Sequence, residues 1–274
     1  MNLFTWTVWG LYGKVTLTPP KCRYGILRMY YSNFPYPYFA GVTGIDGKMR
    51  HMKPEDFSYP SYSEPLLDAY ARRFESVFII LHPFIKLPTE MANNNDLPFE
   101  QMVAHAQPCP WAYVAKETGL GSLAKVNHAL LTLYGSLKEE FCDLSASETL
   151  ESFLKRESFW EPRNGGFDAL ISSEFSEIFR SSGTDEVIYV PELDPAQRLK
   201  VSDLKHSIAP GLVWFAGTLL HPGYELLFTV DWDSFFTLFY GSDVFLHEVV
   251  QKHSLEGFFV NPSHRHYWYR ETIP

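Results

Sequence analysis

The sequence of 274 residues lacks the features that mark several classes of protein. It has three cysteines, Cys22, Cys109 and Cys142, and none of them is in a C-x-x-C spacing, which favours a reducing compartment over a disulfide framework. It has 23 basic and 32 acidic residues, and the net charge of −9 disfavours a general nucleic-acid binder. The longest apolar and small run, 211–220, is too short to cross a bilayer, and the first residues lack the basic start of a signal peptide. These absences predict a cytoplasmic protein with neither nucleic acid nor membrane as a partner.

Sharp catalytic motifs are also missing from the sequence. It contains no G-x-S-x-G nucleophile elbow, no H-E-x-x-H metal motif and no complete phosphate-binding glycine loop. Active sites also assemble from residues far apart in sequence, so these absences leave the question of enzymatic activity open.

The sequence is rich in apolar residues, with 46% hydrophobic and 16% aromatic side chains, which is enough to form a full core without a metal or disulfide. Residues 76–82 form a nearly continuous apolar run, which predicts a buried central strand. The C-terminal third predicts strands at 212–220, 224–230 and 234–240, followed by a helix capped by Ser242. This order predicts an α+β fold, in which an antiparallel sheet is backed by several helices.

Helical periodicity accounts for much of the chain between these strands. Helices are predicted at 64–74, 99–105, 111–117, 122–134, 145–157 and 167–180, and 88–95 is interpreted as a loop. The first helix has Ser63 as its predicted N-cap, and the helix at 145–157 is assigned a capping box of Ser145 and Glu148. These helices are expected to form the layer behind the sheet.

Residues 1–60 differ in charge and residue pattern from the main domain predicted at 61–274. They carry seven basic and three acidic side chains, whereas the remainder carries a net charge of −13. Alternating residues near 4–8 and 15–18 predict strands, so this segment is interpreted as a β-rich extension. Five aromatic residues in it are predicted to form an interface, either with the main domain or with another chain: Tyr30, Tyr31, Phe34, Tyr36 and Tyr38.

Acidic and histidine side chains near the C-terminus form the most ligand-like patterns. On a strand, His264 and His266 would point to one side, and with Asp231 they are candidate ligands for a divalent metal. Asp231 and Asp233 form a second candidate pair, able to bind a cation or to act as acid and base. The alternatives are exposed terminal histidines and a solvated strand end that flanks a buried Trp232. No cofactor other than such a metal is predicted.

His82 is a further catalytic candidate because it directly follows the predicted central strand. Functional side chains are common at the ends of such strands. The alternative is that His82 caps the strand through hydrogen bonds to the backbone.

Several stretches of the chain together resemble a known family. The stretches are 76–88, Trp111 with Thr118-Gly119, 129–140, and 255–259 before Trp268. They resemble a family of uncharacterised bacterial proteins, a domain of unknown function common in spore-forming Gram-positive bacteria, over roughly residues 60–270. The family carries no assigned activity, so the resemblance implies no site residues. The C-terminal strand pair, helix and Glu-Gly-Phe-Phe segment also resemble, at the level of fold, small intracellular α+β proteins that neutralise toxins.

The leading functional hypothesis is a non-enzymatic interaction protein, of the toxin-neutralising, immunity-like kind. Its acidic main domain would recognise a partner with a basic surface, and self-association is a further option. The alternative hypothesis is a metal-dependent hydrolase or a small-molecule-binding protein that uses the His/Asp cluster. The sequence leaves the identity of the ligand or partner and the oligomeric state open.

Overall fold

The computed structural model describes residues 6–10, 13–17, 52–92, 99–192, 194–205 and 216–270. The strands are β1 Trp6–Gly10, β2 Gly13–Leu17, β3 Ser76–Leu81, β4 Phe84–Lys86, β5 Gln107–Cys109, β6 Phe159–Trp160, β7 Glu186–Pro191, β8 Gln197–Lys200, β9 Gly217–Leu220, β10 Leu227–Val230, β11 Phe236–Gly241 and β12 Gly257–Phe259. The helices are α1 Ala69–Arg72, α2 Thr89–Ala92, α3 Phe99–His105, α4 Trp111–Glu117, α5 Leu123–Leu133, α6 Leu144–Glu157, α7 Ser172–Ser181, α8 Val201–Lys205 and α9 Asp243–His253. Short 3-10 turns at Pro54–Phe57, Leu66–Asp68, Glu139–Phe141, Ala169–Ile171 and Trp268–Arg270 complete the described elements.

The central feature is a sheet of seven described strands in the order β12-β3-β11-β10-β9-β7-β8. All neighbouring pairs in it are antiparallel, and β9, β10 and β11 follow one another as a meander. A smaller three-stranded sheet has the order β5-β4-β6. The antiparallel sheet with its helices confirms the predicted α+β class.

The apolar sequence of β3 explains its central place, because all six of its residues are buried. Successive side chains of a strand point to opposite faces of the sheet. Val77, Ile79 and Leu81 therefore join a core with α4, α5 and α6 on one face, while Phe78 and Ile80 join α7, α8 and α9 on the other. The helices cover both faces of the sheet and leave its two ends to carry polar side chains.

The helix predicted at 64–74 is largely absent. A 3-10 turn is followed by α1, in which Tyr70, Ala71 and Arg72 have φ angles of 54°, 55° and 56°. This left-handed conformation is unfavourable for residues other than glycine. Packing holds it in place here, because the ring of Tyr70 lies 5.1 Å from that of Tyr240 and 5.4 Å from that of Phe57.

Three other predicted boundaries are wrong for local reasons. Asp143, and not Ser145, caps α6, because its carboxylate accepts the N–H of Ala146 at 3.0 Å. Asp168 accepts the N–H of Leu170 at 2.7 Å and forms a 3-10 turn, so α7 begins only at Ser172. The segment interpreted as a loop at 88–95 contains the single-turn helix α2.

The N-terminal segment contains the hairpin of β1 and β2, in which Trp6 pairs with Leu17 and Gly10 with Gly13. Phe57, which the sequence places in the extension, is fully buried in the main core. The predicted interface residues lie outside the described residues: Tyr30, Tyr31, Phe34, Tyr36 and Tyr38. Among the helices that the structure describes, none has the length and apolar character that crossing a membrane requires.

Candidate functional site

One end of the central sheet brings together two residues that the sequence singles out. β11 begins at Phe236 between the last residues of β3 and β10, because it is antiparallel to both strands. His82 follows β3 and Asp231 follows β10, so both lie at this end of the sheet. The same end therefore carries two very different environments, a corner around His82 and a cluster around Asp231.

His82 is completely buried, and the chain itself satisfies its polar groups. Its Nδ1–H donates to the carbonyl of Arg163 at 2.7 Å, and its Nε2 accepts the hydroxyl of Thr237 at 2.8 Å. Burial lowers the pKa of His82 to about 4, so the ring stays neutral. This geometry supports the strand-capping interpretation of His82, because both ring nitrogens already have partners.

Helix α4 completes this corner. The indole N–H of Trp111 donates to the carbonyl of His82 at 2.6 Å. The backbone N–H groups of Trp111 and Ala112 donate to the carboxylate of Glu256, which precedes β12, at 2.8 and 3.0 Å. A carboxylate at a helix N-terminus is a stabilising arrangement. We call His82, Thr237, Arg163, Trp111 and Glu256 the His82 corner.

The carboxylate of Asp231 belongs to a second group of contacts. Asp231 is 6% exposed, and its Oδ2 accepts the hydroxyl of Tyr62 at 2.8 Å. The ring of Tyr62 stacks on that of His266, with centroids 4.2 Å apart and planes at 19°. His266 is 7% exposed, and its Nδ1 lies 2.9 Å from the hydroxyl oxygen of Tyr59. We call Asp231, Tyr62, His266 and Tyr59 the Asp231 cluster, in which Tyr62 joins two residues predicted separately from the sequence.

The segment that carries the two tyrosines is anchored on both sides. Phe57 is fully buried just before it, and Ser61 and Glu64 close a turn in which the Glu64 N–H donates to the Ser61 carbonyl at 3.3 Å. The N–H of Leu66 donates to the carbonyl of His264 at 2.9 Å. This bond ties the segment to the C-terminal stretch, and it brings Tyr59 and Tyr62 to His266.

Aromatic rings surround His266 on several sides. Tyr59 and Tyr267 present their rings to it at 81° and 83°, with centroids 5.6 and 4.7 Å away. The ring of Phe236 lies 5.9 Å away, and Tyr62 covers a face. These rings therefore pack His266 on several sides and hold it against Tyr62.

The electrostatics of Asp231 differ from those of an ordinary surface aspartate. Burial raises the pKa of Asp231 to about 7, the hydrogen bonds from Tyr62 and from the backbone of Asp233 lower it in part, and the charges of Asp233 and Glu192 raise it further. Burial and the charge of Asp231 also raise the pKa of Tyr62, which therefore stays a hydrogen-bond donor. The carboxyl group therefore ionises near neutral pH, and a neighbouring cation would stabilise its charged form.

The surface above Asp231 is acidic and aromatic. The side chain of Tyr62 is 38% exposed, and that of Trp232 is 37% exposed, which corrects the interpretation of Trp232 as buried. Asp233 and Glu192 are close enough for their charges to act on Asp231. We call Asp231, its hydrogen-bonded Tyr62, its sequence neighbours Trp232 and Asp233, and Glu192 the acidic aromatic surface.

A single loop joins this surface to the His82 corner. Arg163 accepts from His82, while the N–H of Gly165 donates to the carbonyl of Ser234 at 3.1 Å. Gly165 has a φ angle of +70°, and a Cβ atom there would lie 2.3 Å from the carbonyl oxygen of Trp232. The close approach of the two chain segments therefore requires a glycine at this position.

The predicted metal ligands are not assembled. Both ring nitrogens of His264 face Asn261, at 3.1 Å from its backbone N and 3.2 Å from its Nδ2, while His266 lies among the aromatic rings. The two histidines precede a 3-10 turn and do not lie on a strand, so the alternation of a strand does not apply to them. Among residues 6–10, 13–17, 52–92, 99–192, 194–205 and 216–270, no group of three His, Cys, Asp or Glu side chains is placed to hold a metal ion.

The opposite end of the sheet has a cleft of about 540 Å³ between the end of α7 and the start of α9. This volume is within the range of small-molecule sites, roughly 300–1,000 Å³. Its polar lining residues are Arg73, Glu75, Ser181, Ser182, Glu225 and Ser242. Some of these groups are engaged by the chain, since Glu75 accepts the N–H of Asp243 at 3.1 Å and Arg73 donates to the carbonyl of Tyr224 at 2.8 Å.

No sequence pattern marks Tyr59, Tyr62 or Glu192 as part of this site. Tyr62 and Asp231 are separated by 169 positions, so no local spacing connects them. The signal that was present is the tyrosine pair of Tyr59-Pro-Ser-Tyr62 beside the predicted domain boundary, where aromatic side chains need a surface to pack against.

Comparisons with known proteins place this geometry in a family context. Residues 62–270 match the model of a family described as a protein of unknown function, DUF2711. The chain is 21% identical over 226 residues to the uncharacterized protein YwbB of Bacillus subtilis strain 168, covering 78% of this chain and 99% of that protein. No solved structure shows significant similarity to the chain.

Proposed function

The chain belongs to the DUF2711 family of proteins of unknown function, and on that premise we propose that it is an interaction protein that binds a partner with a basic surface. The observation that carries this proposal is Asp231, a buried carboxylate bonded to the exposed Tyr62. It accepts a hydrogen bond from Tyr62 and lies near the charges of Asp233 and Glu192. A positive group from a partner would offset the repulsion among these carboxylates.

The acidic aromatic surface combines two kinds of attraction for a cation. Carboxylates supply charge, and the exposed faces of Tyr62 and Trp232 supply cation–π contacts. The net charge of −9 adds a long-range attraction that speeds the encounter with a basic partner. A basic toxin is one partner of this kind, and neutralising it would need no catalytic chemistry from the chain.

The test is binding of a short peptide rich in arginine and lysine, measured by the anisotropy of a fluorophore on the peptide. The Asp231→Asn variant is expected to bind about tenfold more weakly, because a buried charge pair is lost. The matched control is Asp185→Asn, which removes an exposed carboxylate before β7, at the opposite end of the sheet. We expect less than about a twofold change for the control, since a distant surface charge is screened by salt.

The outcome that contradicts the proposal is equal affinity of the wild type and the two variants for the peptide. Absence of measurable binding by the wild type at low ionic strength would contradict it as well, because charge attraction is strongest there.

A second candidate function, small-molecule binding, is supported by the cleft at the other end of the sheet. A ligand that binds the folded state raises the melting temperature. The rise should disappear in Ser182→Phe, which would fill the cleft, and persist in Asp231→Asn. A rise that both variants retain would place the ligand elsewhere.

A further inference from the structure

The hydrogen bond of Tyr62 occupies the atom that a partner's cation would use. Its hydroxyl donates to Oδ2 of Asp231 at 2.8 Å, and Asp231 is 6% exposed beneath it. Tyr62 itself is 38% exposed, so the group that covers the carboxylate lies at the surface. A basic side chain that pairs with Oδ2 of Asp231 therefore displaces the hydroxyl of Tyr62.

Tyr62 and Asp231 differ in how firmly the chain holds them. Asp231 follows β10 directly, and its carbonyl accepts both the N–H and the hydroxyl of Ser234, at 3.1 and 3.0 Å. Tyr62 lies in an exposed turn between Ser61 and Ser63. Its side chain is held by the stacking on His266, by edge contacts with Tyr59 and Tyr267, and by the bond to Asp231. The movable partner of this pair is therefore the tyrosine.

The shape of the surface favours one kind of cation. Aromatic rings lie beside this carboxylate, since Tyr62 donates to Asp231 and its ring lies 5.5 Å from that of Tyr267 and 6.2 Å from that of Tyr59. A guanidinium group is planar, stacks on aromatic faces and donates two parallel hydrogen bonds to a carboxylate. An ammonium group is a compact, strongly hydrated point charge with neither property.

We propose that Tyr62 is a gate for arginine: a guanidinium group from the basic partner displaces the Tyr62 hydroxyl from Oδ2 of Asp231 and stacks on the displaced ring. This inference rests on the proposed function and adds to it the partner's chemistry and the residue that selects it. The hydroxyl of Tyr62 substitutes for the arginine in the free protein. The exchange replaces one neutral donor with a charged, paired donor beside Asp233 and Glu192.

The experiment compares peptides of oligoarginine and oligolysine with equal length and charge, each bound to the wild type, Tyr62→Phe and Tyr62→Ala. The wild type is expected to bind oligoarginine about tenfold more tightly than oligolysine, as paired hydrogen bonds and stacking require. Tyr62→Phe keeps the ring and removes the hydroxyl, so its affinity for oligoarginine should increase by roughly threefold to tenfold. Tyr62→Ala removes the ring, and the preference for arginine should fall to about twofold.

The outcomes separate this inference from the proposed function. Equal affinity of the wild type for the two peptides, or weaker binding of oligoarginine by Tyr62→Phe, overturns the gate. Binding that Asp231→Asn still weakens then leaves the proposed function standing. If neither peptide binds the wild type, the proposed function falls and the gate falls with it. Far-ultraviolet circular dichroism of each variant checks that it is folded.

Discussion

The His82 corner and the Asp231 cluster lie at the same end of the sheet, and each centres on a buried ionisable group. In the corner, both ring nitrogens of His82 and its carbonyl are bonded to other parts of the chain. In the cluster, Asp231 accepts from a partly exposed tyrosine and from the backbone of Asp233, and it has like charges nearby. The difference teaches that two buried ionisable groups can have very different hydrogen bonding. The chain completes the bonding of His82, whereas a cation from outside would improve the environment of Asp231.

The two groups also respond to pH in opposite directions. The pKa of His82 is lowered from 6.5 to about 4, so its contribution to stability is complete above pH 6.5 and is lost as the pH falls towards 4. The pKa of Asp231 is raised from 3.8 to about 7, so its contribution is complete below pH 3.8 and is lost as the pH rises towards 7. Both groups are uncharged in the folded protein between these limits.

The largest expected effect comes from breaking the corner with His82→Ala. The substitution opens a cavity and leaves the hydroxyl of Thr237 and the carbonyl of Arg163 without this partner. We expect the free energy of unfolding to fall by about 3 kcal/mol near pH 7, measured by urea denaturation. His105→Ala, at an exposed helical position, is the control and should change it by less than about 0.5 kcal/mol. Similar changes in unfolding free energy for the two variants would contradict a structural role for His82.

The next effect distinguishes the cluster from the corner by its sign. Asp231→Asn removes a carboxyl group whose charge is disfavoured in the folded state above pH 7. We compare the unfolding free energy of the variant with that of the wild type at each pH. This difference should change by about 2 kcal/mol, in favour of the variant, when the pH is raised from about 5 to about 8. Urea denaturation at the two pH values measures this change, with Asp185→Asn as the control. A difference that does not depend on pH would mean that Asp231 titrates like an exposed carboxyl group.

A smaller effect is expected from Glu256→Gln in the corner. The glutamine keeps an oxygen for one N–H of α4 but loses the charge at the helix N-terminus. The unfolding free energy should fall by about 1 kcal/mol at neutral pH. Thermal unfolding measured above and below the pH range in which carboxyl groups titrate checks this. The loss of stability should diminish once Glu256 of the wild type is protonated. A loss that persists in acid would point to packing instead of charge.

The smallest effect on stability is expected from a substitution in the Asp231 cluster. Tyr59→Phe removes the hydroxyl that lies 2.9 Å from Nδ1 of His266 but keeps the ring. The unfolding free energy should fall by roughly 0.5–1 kcal/mol, the net value of one hydrogen bond. The ring-proton resonances of His266 should differ between the variant and the wild type at one pH, while those of His82 stay unchanged. A shift at His82 would mean that the corner and the cluster are not separate.

The sequence predicted the parts of the fold that depend on local patterns. The apolar run of β3, the cap of α9 at Ser242, and the strand meander follow from side-chain periodicity and capping. The left-handed turn at Tyr70 did not, because distant aromatic packing overrides the local preference there. Helix starts moved by a few residues where an aspartate such as Asp143 supplied a cap that the pattern did not include.

The candidate site could be predicted only in part. Asp231 and His266 were found as residue types with suitable chemistry, but their connection through Tyr62 depends on the folded path of the chain. The metal interpretation was drawn from the spacing of His264 and His266, and it assumed a strand where the structure has an irregular segment. Spacing predicts a shared face only when the type of element is known.

Gly165 has a consequence for how the chain tolerates sequence change. Its backbone touches the turn of Trp232 while the carbonyl of Arg163, two residues earlier, holds His82. A methyl group at this position would push against the carbonyl oxygen of Trp232 and separate the loop from the turn. A Gly165→Ala change would therefore disturb both the acidic aromatic surface and the His82 corner, although it introduces no charge and removes no hydrogen-bonding side chain.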